Sequence, residues 1–218
     1  MLTAIIFDLD GTLANTDPLH YQTWVDVLSD YDMELNPEFY NARISGRLNP
    51  DIVRDILPQL TPEEGRYLAD RKEARFREIA LGLEPLAGLM HLLNWIENKG
   101  LKTGIVTNAP RANAVFMLEV LTLGDRFEHV ILSEEVGVGK PDPAPYKVIL
   151  ERLNVSPKEA IVFEDSPSGI RSAVAAGIET FGVASTHDPE GLKRVGATRV
   201  IDNFEDRELW QYLQSAIA

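Results

Sequence analysis

The sequence predicts an α/β fold: a mainly parallel sheet interrupted, after its first strand, by an all-helical insertion. Three observations carry this. Apolar runs that stop at polar or acidic residues recur at Ala4–Phe7, around Ile105 and Val106, and at Ala160–Phe163. From Pro85 onward, helix-like and strand-like patterns alternate, which builds a parallel sheet covered on both faces. Between these two parts, residues 16–81 carry helical patterns with no convincing strand. The expected domains are therefore a core of residues 1–15 and 82–218 and a helical cap of residues 16–81, long enough for a small bundle.

Taken in order, Ala4-Ile5-Ile6-Phe7 is a strand apolar on both faces, and Gly11 lets the chain turn away after Asp8-Leu9-Asp10. Asp17-Pro18 starts a helix with an apolar face along Leu19, Trp24, Val27 and Leu28. Helices are expected at about Pro37 to Ile44, Pro50 to Leu57 and Pro62 to Ala80. In the core, a helix from Pro85 to Lys99 precedes the Ile105 strand, and a helix from Arg111 to Leu121 precedes the Val130-Ile131-Leu132 strand. A helix near Tyr146 to Leu153 leads to the Val162 strand, and one around Gly169 to Ala176 leads to a strand at Thr180 to Val183. A helix near Glu190 to Val195, a strand at Arg199 to Ile201 and an amphipathic helix from Glu205 complete the chain.

The strand ends hold the chemistry. Asp8 and Asp10 follow the first strand, at the carboxyl edge where open α/β sheets bind ligands. One carboxylate there can attack an electrophile or hold a cation, and the other can handle a proton. Thr107 and Asn108 end a second strand, and Glu164 and Asp165 end another. Between them Gly139-Lys140-Pro141 presents a lysine on a stiff loop. Carboxylates alone would repel a phosphate, so a divalent cation, the lysine and neutral donors are all required.

These four segments, in this order, resemble the haloacid dehalogenase superfamily of phosphotransferases, over a span from Ala4 to about Val183. The resemblance implies a Rossmann-like core with a helical cap. It assigns Asp8 as nucleophile, Asp10 as general acid/base, Thr107 and Lys140 as phosphate-orienting residues and Glu164-Asp165 as the acidic pair of a Mg²⁺ site. The Asp8 side chain, the Asp10 backbone carbonyl and Asp165 would hold the Mg²⁺, with Glu164 close or water-linked. Hard oxygen ligands suit that ion. The implied activity is Mg²⁺-dependent hydrolysis of a small phosphomonoester, a sugar phosphate or a phosphoglycolate-like compound, through an aspartyl-phosphate. The alternative is a sugar phosphomutase of the β-phosphoglucomutase type, and a non-catalytic phosphoaspartate signalling module is a remote third. A signalling module has no use for the helical insertion.

In the cap, His20 and Trp24 lie one helical turn apart and fit the mutase pattern, while Arg47 and Lys72 are the cations best suited to an anionic substrate. The mutases, the resemblance implies, carry an arginine three residues after the cap glycine; counting from Gly46, Asn49 stands there.

Composition narrows the partners. A net charge of −13 offers no attraction to nucleic acid or an anionic membrane. The chain has no cysteine, which rules out disulfides and thiolate metal sites. Asp8 cuts the N-terminal apolar run, and no basic segment precedes it, so neither a signal peptide nor a membrane span is expected there. A cytoplasmic monomer acting on a small phosphorylated metabolite is the expectation.

Overall fold

The computed structural model describes residues 1–217. Strand β1 (Ala4–Phe7) is followed by helices α1 (Asp17–Leu28), α2 (Pro37–Arg43), α3 (Asn49–Ile56) and α4 (Pro62–Ile79). The alternating part then runs α5 (Leu89–Lys99), β2 (Lys102–Thr107), α6 (Arg111–Val120), β3 (His129–Leu132), α7 (Ser133–Val136) and α8 (Ala144–Leu153). It continues with β4 (Ala160–Glu164), α9 (Pro167–Ala175), β5 (Glu179–Val183), α10 (Pro189–Arg194), β6 (Arg199–Ile201) and α11 (Arg207–Ala216). The chain divides into two compact units, one of Met1–Asn15 with Glu84–Ala218 and one of Thr16–Leu83.

In the first unit the six strands form one sheet in the order β3-β2-β1-β4-β5-β6. Every neighbouring pair is parallel. The chain builds outward from β1 to β2 and β3, then returns to the other side of β1 with β4. The order therefore reverses between β1 and β4, the place where open α/β sheets form a crevice at the strand ends. All four residues of β1 and all five of β4 are buried, as strands covered on both faces must be. Helices pack the faces; Tyr146, Ile149 and Leu153 of α8 join Ala4, Ile6, Val106 and Val162 in one apolar cluster.

The second unit has a core of its own, with Trp24 and Leu28 packing with Tyr40, Ile52, Val53 and Leu68. Its helix starts are set by local chemistry. Asn36 caps α2 by accepting from Phe39 N–H, and Thr61 and Glu64 form a reciprocal capping box at α4. At the other end of α4, Leu83 N–H donates to Ala80 O at 3.2 Å, which keeps Leu83 with the helices.

Two core elements depart from the sequence pattern. The helix expected from Pro85 starts at Leu89, because Gly88 adopts a left-handed conformation (φ 79°) and a Cβ there would run into the Phe204 backbone. The one-turn helix α7 has no periodicity to betray it; four residues are too few for a helical stripe.

Candidate active site

Parallel pairing of β1 with β4 puts Phe7 beside Phe163, and Asp8 N–H extends the ladder by donating to Phe163 O at 2.9 Å. The register thus sets Asp8, one residue past β1, against Glu164 and Asp165 at the end of β4. Asp8, Glu164 and Asp165 each offer a carboxylate oxygen within 4.8 Å of the other two. The Lys140 ammonium lies among them, donating to Asp8 Oδ1 at 2.5 Å and to Glu164 Oε1 at 2.6 Å. All four side chains are buried.

Burial and crowding reshape their protonation. Asp8 is pushed up to about 8, chiefly by burial, with Lys140 opposing the rise and the Glu164 and Asp10 charges adding to it. Asp165 lies well above the usual carboxylate range, first through burial and then through repulsion from Asp8 and Glu164. Burial pulls the Lys140 ammonium down, and the charges of Asp8 and Glu164 more than reverse it, so it stays protonated. Three carboxyl groups crowd one ammonium, and protons on Asp8 and Asp165 relieve their repulsion, leaving a set of hard oxygen donors that a cation could claim in place of those protons. That is the donor chemistry of a divalent cation.

The oxygens are not equally available. Glu164 Oε1 accepts from Lys140 and from the Tyr146 hydroxyl at 3.2 Å, while Oε2 accepts from Ser166 N–H at 3.0 Å and Ser166 Oγ at 3.1 Å. Its roughly four acceptor positions are filled. The carboxylate also packs against Gly169, where a Cβ would overlap it. Asp165 Oδ1, by contrast, receives only a long 3.4 Å bond from Thr12 among the described residues, and Oδ2 accepts from Thr186 Oγ1. Asp8 and Asp165 are thus the better placed to hold a cation.

Asp10 is half-buried beyond the turn, near enough for its charge to bear on Asp8. Thr107 is buried at the end of β2, and its Oγ1 accepts from Ala109 N–H at 2.9 Å. The Asn108 side chain turns to the loop that carries Lys140, accepting from Lys140 N–H at 3.0 Å.

The remaining candidates belong to the helical unit. Lys72 is buried there; its Nζ lies 2.7 Å from His20 Nδ1 and 3.0 Å from Glu73 Oε1, with the Trp24 and Phe76 rings close by. Glu73 accepts from Asn49 Nδ2 at 2.5 Å. Burial raises the Glu73 carboxyl, and Lys72, His20 and Asn49 more than offset it, so it sits below its ordinary range. Arg47 is exposed and engaged, donating to Asp55 at 2.8 Å and to Arg43 O at 2.7 Å.

Several site residues were invisible to sequence reasoning. Tyr146 and Thr186 reach the cluster, and Ser133 reaches Asn108, only through the fold. Burial and the Glu164 charge hold the Tyr146 hydroxyl protonated, so it serves Glu164 as a donor. Thr12 and Ser166 had a faint signal, since each adjoins an acidic motif; Ser166 also caps α9 by accepting from Gly169 N–H at 3.0 Å.

Comparison with known proteins agrees with this geometry. The profile of the haloacid dehalogenase-like hydrolases matches residues 5–183. A phosphorylated carbohydrates phosphatase of Thermotoga maritima is 31% identical, over 92% of this chain and 94% of that protein. A β-phosphoglucomutase of Bacillus subtilis is 27% identical, over 95% and 92%. The crystal structure of a β-phosphoglucomutase from Clostridium difficile superposes with a TM-score of 0.87 at 24% identity, covering 100% of this chain and 97% of that one, a likeness of fold. The chain belongs to the haloacid dehalogenase-like hydrolase family. It is an enzyme, consistent with the phosphoric monoester hydrolase class to which the phosphatases among its relatives belong.

Proposed function

We propose that this enzyme is a Mg²⁺-dependent phosphatase that releases inorganic phosphate from a small phosphomonoester, a sugar phosphate or phosphoglycolate-like compound, in the cytoplasm and as a monomer. The observation that carries this reading is the buried lysine bridging Asp8 and Glu164 beside Asp165. In the proposed reaction an Asp8 oxygen attacks phosphorus and the bond to the leaving oxygen breaks. Asp10 gives that oxygen its proton, so the alcohol departs and an aspartyl-phosphate remains. Asp10, now ionised, takes a proton from water, whose oxygen attacks phosphorus and frees Asp8 and phosphate. Thr107, Asn108 and Lys140 orient the phosphoryl group, with Lys140 neutralising charge on its oxygens. Asp8, the Asp10 carbonyl and Asp165, with Glu164 adjacent, would hold Mg²⁺, which when bound supplies further charge neutralisation.

The helical unit, residues 16–81 of the expected cap, is proposed to recognise the rest of the substrate through His20, Trp24, Arg47 and Lys72. Two observations favour phosphatase over mutase. Glu73 sits 3.0 Å from Lys72 and neutralises it, and the Asn49 amide is spent on Glu73. Asn49 thus stands where a mutase would hold a bidentate cation for a second phosphate. The test offers β-glucose 1-phosphate with catalytic glucose 1,6-bisphosphate, alongside a panel of other phosphomonoesters, and follows both products. Free phosphate should outpace glucose 6-phosphate. Isomerisation much faster than phosphate release would make the enzyme a mutase.

Cation binding has its own signature. Mg²⁺ must displace protons from Asp8, pushed up to about 8, and from Asp165, also raised, so affinity rises as pH increases through about 8 and falls on acidification. Calorimetry should show proton release, and Asp165→Asn should weaken binding more than Glu164→Gln. Affinity unchanged between roughly pH 6 and 8 would count against Asp8 and Asp165 as the ligands.

A further inference from the structure

Asn108 ends the run Thr107-Asn108 just beyond β2, and its amide is consumed on one neighbour's backbone. Oδ1 accepts from Lys140 N–H at 3.0 Å, and Nδ2 donates to Lys140 O at 3.4 Å. A backbone N–H demands an acceptor and a carbonyl demands a donor, so both ends of the amide are specified. Ser133, buried at the start of α7, completes the set: its Oγ lies 2.5 Å from Asn108 Oδ1 and 3.0 Å from Thr107 O. One hydroxyl proton faces two acceptors, and either choice ties α7 to the end of β2. The strand end, the one-turn helix and the lysine loop therefore meet on a single side-chain amide.

Lys140 is held from two directions. Its ammonium is placed by Asp8 and Glu164, while its backbone is placed by Asn108 and Ser133. A lysine side chain is long and flexible, so the charge on its tip is only as well placed as the backbone that carries it. We propose that Ser133 and Asn108 form a clamp that positions Lys140, and that the Asn108 side chain acts on the phosphoryl group through that lysine rather than by touching it. This rests on the reading of Lys140 as the residue that grips phosphoryl oxygens. Ser133 and Asn108 are positioning residues in this account.

The test measures affinity for orthovanadate, a pentacoordinate phosphoryl mimic that needs no turnover, on the full chain at saturating Mg²⁺. Lys140→Ala should weaken binding by on the order of 10²-fold or more. Asn108→Ala and Ser133→Ala should each weaken it by on the order of 10- to 100-fold, the cost of a misplaced charge. In the Lys140→Ala background both should cost less than about twofold further, since nothing remains to be positioned. A role confined to general stability would weaken binding equally in both backgrounds. Ser133→Ala removes a single oxygen and carries the test if Asn108→Ala fails to fold. Losses that persist without Lys140, or silent Asn108 and Ser133 variants beside a damaging Lys140→Ala, overturn the clamp alone. A silent Lys140→Ala overturns the reading beneath it.

Discussion

Asp8→Asn is expected to abolish turnover, by on the order of 10⁴-fold or more, while the protein folds and still binds a divalent cation, more weakly, through Asp165 and the amide oxygen. The amide has the shape of the carboxylate and none of its nucleophilicity. Asp8 is buried at the end of β1, and its N–H continues the sheet ladder to Phe163, so its backbone is fixed whatever the side chain. A neutral group there also relieves the repulsion that raises Asp165. The variant should therefore be no less stable than the parent without metal. Steady-state phosphate release beside thermal unfolding checks both halves, and near-normal release would remove Asp8 from the nucleophile's place.

Lys140→Met should do two kinds of damage. Removing one member of a buried charge cluster leaves Asp8 and Glu164 without their shared ammonium, a loss worth about 3–5 kcal/mol where the remaining charges stay ionised. Asp8 can escape by taking up a proton, because without the ammonium its titration moves further upward. The destabilisation should accordingly be largest at pH 8 and above and shrink as pH falls below about 7. Turnover should fall by on the order of 10²- to 10³-fold, as the charge on the transferring phosphoryl group loses its partner. Unfolding followed across pH separates the effects. A stability loss that grew on acidification would contradict the buried-cluster argument.

The strand ends were legible because two signals coincide there. A buried parallel strand must be apolar throughout, and the first charge after it marks where the sheet opens, so Asp8 and the pair Glu164-Asp165 stand out in the bare sequence. Their mutual approach was not legible. It depends on β4 returning beside β1, which a list of strands does not state. Lys140 could be picked from its Gly/Pro loop, yet the choice of Asn108 and Ser133 to hold that loop comes from side chains distant in sequence. Tyr146 reads as an ordinary core residue of α8 and packs as one, with its hydroxyl alone turned to Glu164. Lys72 shows the limit from the other side. Within the run Arg71-Lys72-Glu73 nothing marks one charge as buried, and only the packing of Trp24, His20 and Phe76 around it does so.

The central claim, a covalent phosphoryl group on Asp8, can be tested with inorganic phosphate and water alone. An Asp8 oxygen that attacks phosphate expels one of its oxygens as water, and hydrolysis of the acyl phosphate returns an oxygen from the solvent. With Mg²⁺ present, ¹⁸O-labelled phosphate incubated with the enzyme should lose its label to water, and Asp8→Asn should retain it. No loss of label in the presence of wild-type enzyme that is actively hydrolysing a phosphomonoester would mean that water attacks the substrate directly, and would contradict the account.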